Sequence, residues 1–255
     1  MAYETEVELL KDVVQSVGKY QIEKQKFLER INLKEDRSPF TEVDVNSEKM
    51  IKDKILSIFP DDGFLAEESG ETSEKSKRRW IIDPLDGTRP YIHGIPTYSI
   101  LIALEENGVL AAGIAHFPAL GETYWASLGG GAFCNGEKLS VSKTANLSDS
   151  MVGALGIIEA ANEKKGKILF KILQECDYVY GFMDAYSYVS VAAGKLDFCV
   201  SLIDKPWDRA PVALIVKEAG GSFGDLSGKE SIYSDDFLVS NENLRKEILE
   251  KFREN

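Results

Sequence analysis

The chain has 255 residues, 44% of them hydrophobic and 28% charged, an ordinary globular composition, and its formal net charge of −12 argues against direct binding of nucleic acid or anionic membrane. No apolar stretch approaches the roughly 18 residues needed to span a bilayer, and the start of the chain, Met1 to Glu6, lacks the basic-then-apolar pattern of a signal peptide, so the expected compartment is the cytoplasm. Cys134, Cys176 and Cys199 are far apart, and His93 and His116 are the two histidines, which argues against a disulfide framework or a zinc site.

In chain order, Val7, Leu10, Val14, Val17, Ile22, Phe27, Leu28 and Ile31 form a helical stripe from Thr5 to about Ile31, broken by Arg37-Ser38-Pro39. A second helix is expected from about Asp44 to Phe59, stopped by Pro60. Strands follow at Trp80-Ile81-Ile82, Tyr98 to Leu104, Val109 to His116 and Thr123 to Ala126, the second and third joined by a hairpin at Glu105 to Gly108. Gly129 to Gly131 reads as a turn, and Leu139-Ser140-Val141 as an extension of the sheet. The second half alternates: strands near Met151 to Leu155, Tyr178 to Tyr180, Phe198 to Val200 and Phe237 to Val239, with helices at about Glu159 to Cys176, Ala185 to Ala193, Asp208 to Ala219 and Glu242 to Phe252. This order predicts an α+β front half, residues 1–145, and an α/β back half, residues 146–255, packed as one unit over residues 1–255 with the site between the halves.

Four acidic clusters carry the chemistry. They are Thr41-Glu42-Val43-Asp44 opening a helix, Glu67-Glu68-Ser69 in a polar loop, Asp83-Pro84-Leu85-Asp86-Gly87-Thr88 after an apolar strand, and Trp207-Asp208 opening a helix that ends in Glu218-Ala219-Gly220-Gly221. The third delivers two carboxylates three residues apart across a turn stiffened by Pro84, with the Leu85 carbonyl beside them; hard cations such as Mg²⁺ take oxygen ligands of this kind. Gly87 and Thr88 then offer backbone N–H groups suited to a phosphate oxygen. Taken singly, each cluster also has a structural explanation: Asp, Pro and Gly form turns, Glu67 and Glu68 can be solvated loop charges, and Asp44 and Asp208 can be helix N-caps.

The joint order T-x-x-D, E-E-S, D-P-x-D-G-T and W-D…E-A-G-G, with His93-Gly94-Ile95-Pro96 and Gly131-Ala132-Phe133, resembles the inositol monophosphatase family from about residue 5 to residue 252. The resemblance implies a Mg²⁺-dependent phosphoric monoester hydrolase with a layered αβαβα sandwich, cytoplasmic and homodimeric, acting on a small-molecule phosphate ester and inhibited by Li⁺. It implies that Glu67, Asp83 and the Leu85 carbonyl hold one Mg²⁺, that Asp83, Asp86 and Asp208 hold a second, and that Glu67 and Glu68 serve a third. Asp44 and Thr88 would orient and deprotonate the attacking water, and the Gly87 and Thr88 amides would bind phosphate. Two cations about 3.5–4 Å apart can clamp a phosphate during in-line displacement, and the sequence offers no nucleophile–base pair for a covalent route. The polar segment Gly70 to Arg79 reads as a mobile loop over the metals.

The substrate side departs from the inositol pattern. Arg89-Pro90-Tyr91 follows Gly87-Thr88, and Lys205-Pro206 precedes Trp207-Asp208, features that resemble the histidinol-phosphate phosphatase branch. Asp184 can pair with a substrate ammonium or cap the helix at Ala185. Ser201 stands where the family carries a substrate-facing acid, with Asp204 nearby; Arg89 reads either as a phosphate-side ligand or, preferably, as a solvated loop charge. Histidinol phosphate is therefore the lead substrate, with inositol monophosphate and other sugar or nucleoside phosphates as alternatives. A partner-binding regulator that retains the phosphatase fold is the reading from another class.

Overall fold

The structure, a computed structural model, describes residues 3–27, 31–34, 39–72, 76–181 and 184–254. Helix α1 spans Glu4–Gln25, and a small ribbon of β1 (Asn32–Leu33) and β2 (Pro39–Phe40) leads to α2 (Glu42–Leu56). Strands β3 (Gly63–Ala66), β4 (Gly70–Thr72), β5 (Arg78–Asp86), β6 (Ser99–Glu106), β7 (Val109–Phe117), β8 (Glu122–Ser127), β9 (Gly131–Cys134) and β10 (Glu137–Lys138) form one sheet, with the short helix α3 (Thr88–Ile92) between β5 and β6. Its order is β10-β9-β8-β7-β6-β5-β3-β4, antiparallel throughout except for the β3–β5 pair. The second half holds β11 (Met151–Leu155), α4 (Lys164–Glu175), β12 (Tyr178–Tyr180), α5 (Ala185–Ala192), β13 (Phe198–Ser201), α6 (Pro206–Glu218), β14 (Ser222–Gly224), β15 (Phe237–Ser240) and α7 (Glu242–Glu254). These strands form a five-stranded sheet, β12-β11-β13-β15-β14.

The layering follows from side-chain alternation. Along β5, Trp80 and Ile82 point into a core shared with Val14 of α1 and Ile51 of α2, while Ile81 points the other way, toward Ala210 and Leu214 of α6. Because both faces are covered, β5 and β6 read as continuous apolar runs rather than alternating ones. Helices α5 and α6 fill the space between the sheets, with Val212, Val189 and Phe237 in one cluster. Helices α4 and α7 cover the outer face of the second sheet through Leu169, Ile248 and Leu238. The result is the αβαβα sandwich, each buried Leu, Ile or Val side chain stabilising it by about 1.5–3 kcal/mol. Gly113 lets α6 approach β7 closely, because a Cβ there would lie 3.1 Å from the Pro211 backbone.

Several expectations need correction. The first helix ends at Gln25; Phe27 and Ile31 are 70% and 51% exposed, so the stripe runs past the last sheet surface it could cover. Leu28 lies outside the described residues. The fourth helix starts at Lys164, the preceding residues forming turns. Gly70 to Arg79 is not a single loop: Gly70–Thr72 pairs with Phe64–Ala66 and Arg78 begins β5, with residues 73–75 outside the described set. Leu139–Val141 does not extend the sheet; Glu137–Lys138 does, and the Val141 N–H instead donates to the Ala219 carbonyl. Strands Gly63–Ala66, Gly131–Cys134 and Ser222–Gly224 carry glycines at their ends that hid them among turn signals.

Candidate metal centre and active site

Strand β5 sets the site. It pairs with β6 up to Asp83 opposite Leu101, then resumes at Asp86 opposite Ser99, with a shift in register between them. The resulting bulge takes Pro84 and Leu85 out of the ladder, as bulges do, and keeps Asp83 and Asp86 on one side. Asp208 reaches the same place from the first turn of α6. Carboxylate oxygens of Asp83, Asp86 and Asp208 lie within 4.8 Å of one another. Asp83 and Asp86 are buried, at 3% and 8% exposure.

Each carboxylate is held in place. The Asp83 Oδ1 accepts from the Leu85 N–H at 2.9 Å. The Asp86 Oδ2 accepts from Ser99 Oγ at 2.8 Å and from the Ala185 N–H at 3.2 Å. The Asp208 Oδ2 accepts from the Lys205 N–H at 2.7 Å. Asp208 is therefore not an N-cap: Lys205 holds that position, and Asp208 closes the first turn from the third helical residue. Asp44 is likewise not the N-cap of α2. Thr41 is, and Asp44 completes a capping box with its Oδ2 from the third residue, so that its Oδ1 faces Thr88.

So many acids in one place shift one another's titration. Burial, then the charges of Glu67, Asp208 and Asp86, push the Asp83 carboxyl well above the ordinary carboxylate range. Burial, then Asp184 and Asp208, do the same to Asp86. Burial, with the Asp204 charge next, pushes Asp208 up to about 8. A cation at this place would lower the cost of keeping the three carboxylates ionised.

The Glu67-Glu68-Ser69 turn joins β3 to β4, beside Asp83. Its position is fixed from α2, where the buried Glu48 accepts from the Glu68 N–H at 2.9 Å. The Lys34 ammonium bridges Glu67 Oε1 at 2.7 Å and Glu68 Oε1 at 2.6 Å, so this acidic pair already holds a positive charge. Thr88 opens α3 and its hydroxyl lies 3.1 Å from Asp44 Oδ1 and 3.2 Å from the Leu85 carbonyl oxygen. Gly87, the residue before α3, has φ +75°, a left-handed conformation that glycine adopts without strain. It turns the chain so that α3 starts beside the acidic cluster.

Asp184 is at the N-terminal boundary of α5, but its side chain makes no capping hydrogen bond. It has φ +43°, rare for a non-glycine residue. Its Oδ2 lies 3.2 Å from where a Cβ on Gly87 would stand, so Asp184 borders the Gly87 turn rather than capping its helix. Burial, then the Asp204 charge, raise its pKa to about 6. Ser201 is fully buried and its Oγ accepts from the Ile203 and Asp204 N–H groups; it shapes a turn. Asp204 instead supplies a carboxylate whose charge acts on Asp184 and Asp208 and which accepts from the Tyr188 hydroxyl. Sequence reasoning noted Asp204 only in passing and passed over Lys34 and Ser99 altogether, since a lone Lys in a polar loop and a Ser in a strand carry no pattern.

Cavity size does not mark the site. A cavity of about 660 Å³ beside α4 is lined by Lys165, Asp225 and Asp236, but both aspartates are satisfied by backbone N–H groups of Ser227, Lys229 and Leu226 and by Lys165. Among the described residues, no helix is long and apolar enough to cross a membrane.

Comparison with known proteins matches this arrangement to a family. The inositol monophosphatase family model matches residues 3–255. A histidinol-phosphatase of Chlorobaculum parvum is 42% identical over 210 residues, 82% of this chain and 81% of that protein. A fructose-1,6-bisphosphatase/inositol-1-monophosphatase of Thermotoga maritima is 40% identical over 84% of this chain and 82% of its own length. Among solved structures, the Thermotoga maritima IMPase superposes with a TM-score of 0.89 at 34% identity, covering 98% of this chain and 97% of that one. Its acids gathered at one bulged strand end, its two-sheet sandwich and these matches agree: the chain belongs to the inositol monophosphatase family, and with it to the phosphoric monoester hydrolases.

Proposed function

We propose that residues 1–255 act as one Mg²⁺-dependent phosphomonoesterase unit, and that its substrate is a phosphate ester carrying a cationic group, histidinol phosphate being the lead candidate. The observation that carries the metal reading is the convergence of Asp83, Asp86 and Asp208 within 4.8 Å. Every donor there is a hard oxygen, which fits Mg²⁺ rather than a soft or imidazole-preferring metal. On this reading Glu67, Asp83 and the Leu85 carbonyl hold one ion, Asp83, Asp86 and Asp208 a second, and Glu67 and Glu68 a third in exchange for Lys34. When bound, such ions polarise the phosphoryl oxygens and acidify a water.

The chain's own groups do the rest. The Gly87 and Thr88 amides, at the start of α3, receive a phosphate oxygen. The Thr88 oxygen accepts a proton from water and passes its own to Asp44 Oδ1, 3.1 Å away. Burial raises the Asp44 pKa, which makes it a better proton acceptor than an ordinary Asp. The water oxygen bonds to phosphorus as the opposite P–O bond to the ester oxygen breaks; the ester oxygen keeps that bonding pair and takes a proton from solvent water, and the proton on Asp44 returns to solvent. No phosphoenzyme is formed.

Asp184 supports the cationic substrate. It borders Gly87 and its side chain makes no helix cap; a neutral polyol would offer its carboxylate no charge-assisted partner. The relative from Chlorobaculum parvum bears the name histidinol-phosphatase, while the two Thermotoga maritima names point to inositol and fructose phosphates. A panel decides: Mg²⁺-dependent phosphate release from histidinol phosphate, inositol 1-phosphate, fructose 1,6-bisphosphate and adenosine 3′,5′-bisphosphate. A lead of about a hundredfold in kcat/KM for histidinol phosphate, roughly 3 kcal/mol, supports the reading, and a lead for a neutral ester overturns it. If all four are slow with intact metal binding, either the substrate lies outside the panel or the partner-binding reading is the one to pursue; a Neisseria meningitidis relative named a putative Nus factor is 31% identical. Cytoplasmic location and a homodimer are further expectations, the latter checked by light scattering.

A further inference from the structure

Helix α1 contributes no acid to the site, yet one of its side chains reaches the centre of it. Gln21 is fully buried. Its Nε2 donates to the Pro84 carbonyl at 2.8 Å and lies 3.2 Å from Ser47 Oγ. Pro84 sits in the bulge, where the register between β5 and β6 shifts and the ladder offers it no partner. Without Gln21 its carbonyl is a buried acceptor left unpaired, and such groups are rare because they are costly.

The same peptide unit carries the Leu85 N–H, which donates to Asp83 Oδ1 at 2.9 Å. One planar group is thus held at both ends, by Gln21 on its carbonyl and by Asp83 on its N–H. Peptide planarity makes the two contacts rigidly dependent: if the carbonyl turns, the N–H turns with it and leaves the Asp83 carboxylate. The brace extends further, since the Gln21 carbonyl accepts from the Tyr91 hydroxyl at 2.8 Å and Gln25 Nε2 donates to the Tyr91 carbonyl at 2.8 Å. Both of these ties steady α3, which opens with Thr88.

We infer that Gln21 is a positioning residue for the metal centre: through the Pro84–Leu85 peptide it fixes the Asp83 carboxylate and thereby sets the affinity for the divalent cation. The inference rests on the metal reading above. Groups hydrogen-bonded directly to a ligand typically change metal affinity by about tenfold to a hundredfold when removed, and Gln21, one peptide further out, is expected at the lower end of that range.

The test uses Mn²⁺ as a paramagnetic probe, titrated into the metal-free full chain and followed by electron paramagnetic resonance. Gln21→Met keeps length and volume but removes the donor; Gln21→Asn keeps the amide but is one methylene too short to reach Pro84. Ser47→Ala removes the other contact of Gln21 and serves as the comparison for a purely structural effect. The expected result is a Kd for Mn²⁺ raised about tenfold in whichever Gln21 variant folds, with Ser47→Ala close to the parent. The Mg²⁺ concentration for half-maximal activity rises in parallel, while kcat at saturating Mg²⁺ stays within about threefold. Parent-like Kd values in the Gln21 variants, with only a lowered melting temperature, overturn the inference alone. A parent that binds no Mn²⁺ overturns the metal reading and this inference together.

Discussion

Asp83→Asn separates the two things Asp83 does. In the folded protein without metal, its carboxyl is buried and repelled by Glu67, Asp208 and Asp86, and it hydrogen-bonds with Asp208. An asparagine keeps the shape. Its carbonyl oxygen still accepts from the Leu85 N–H, 2.9 Å from Asp83 Oδ1 in the parent, and its amide can donate to Asp208. The folded cluster no longer has to take up the proton that an unfolded Asp83 would release at neutral pH, so stability without metal rises by about 1–2 kcal/mol. For a chain of this size that is roughly 2–8 °C in melting temperature. Activity moves the other way: Asp83 is shared by two proposed ion sites, and its loss is expected to lower kcat/KM at least about a thousandfold, roughly 4 kcal/mol. The assays are thermal unfolding in chelator, with and without added Mg²⁺, and phosphate release at saturating Mg²⁺. Parent-like turnover, or a melting temperature that falls by several degrees without metal, would refute this reasoning.

Asp44→Asn removes the proposed proton acceptor from Thr88 without touching the Asp83, Asp86 and Asp208 cluster; kcat should fall about 10²–10⁴-fold while the Kd for Mn²⁺ stays unchanged in direct titration. Asp184→Asn should lower kcat/KM for histidinol phosphate by about tenfold to a hundredfold, the worth of one charge-assisted contact, and change hydrolysis of a neutral ester by less than about threefold. His116 is buried against Thr123 Oγ1, 2.9 Å away, and burial lowers its pKa from 6.5 to about 4. Between those values the unfolded chain binds the proton and the folded one does not, so its contribution is fully present above about pH 6.5 and is lost as pH falls toward 4, up to about 3 kcal/mol. Urea unfolding at pH 7.5 and pH 4.5 should show a steeper loss for the parent than for His116→Asn; equal slopes contradict it.

What the sequence revealed and what it hid have physical causes. The convergence of Asp83, Asp86 and Asp208 was legible because the first two adjoin Pro84 and Gly87 and the third lies two residues after Pro206, punctuating residues that mark where strands end and helices begin. The apolar runs of β5 and β6 were legible because they are covered on both faces. Strand β3 was not, since four residues beginning with Gly63 are too few to show a period, and only their parallel pairing with Arg79 to Ile82 marks them as a strand. The roles of Asp44 and Asp208 in helix capping were misjudged because an acid at the third helical position has the same local pattern as one at the N-cap; only the hydrogen bonds from Thr41 and Lys205 distinguish them. Gln21 was invisible for a different reason: it lies on an apolar helix stripe, 63 residues from the carbonyl it holds, and nothing local records that contact.

The central claim is that this acidic cluster performs phosphate ester hydrolysis through bound Mg²⁺. Phosphate release from the best ester of the panel, measured before chelation, after removal of divalent ions and after return of Mg²⁺, tests it most directly. Activity is expected to disappear on chelation and to recover with millimolar Mg²⁺, and Asp83→Asn to show neither behaviour. Full turnover in the chelated protein would contradict it.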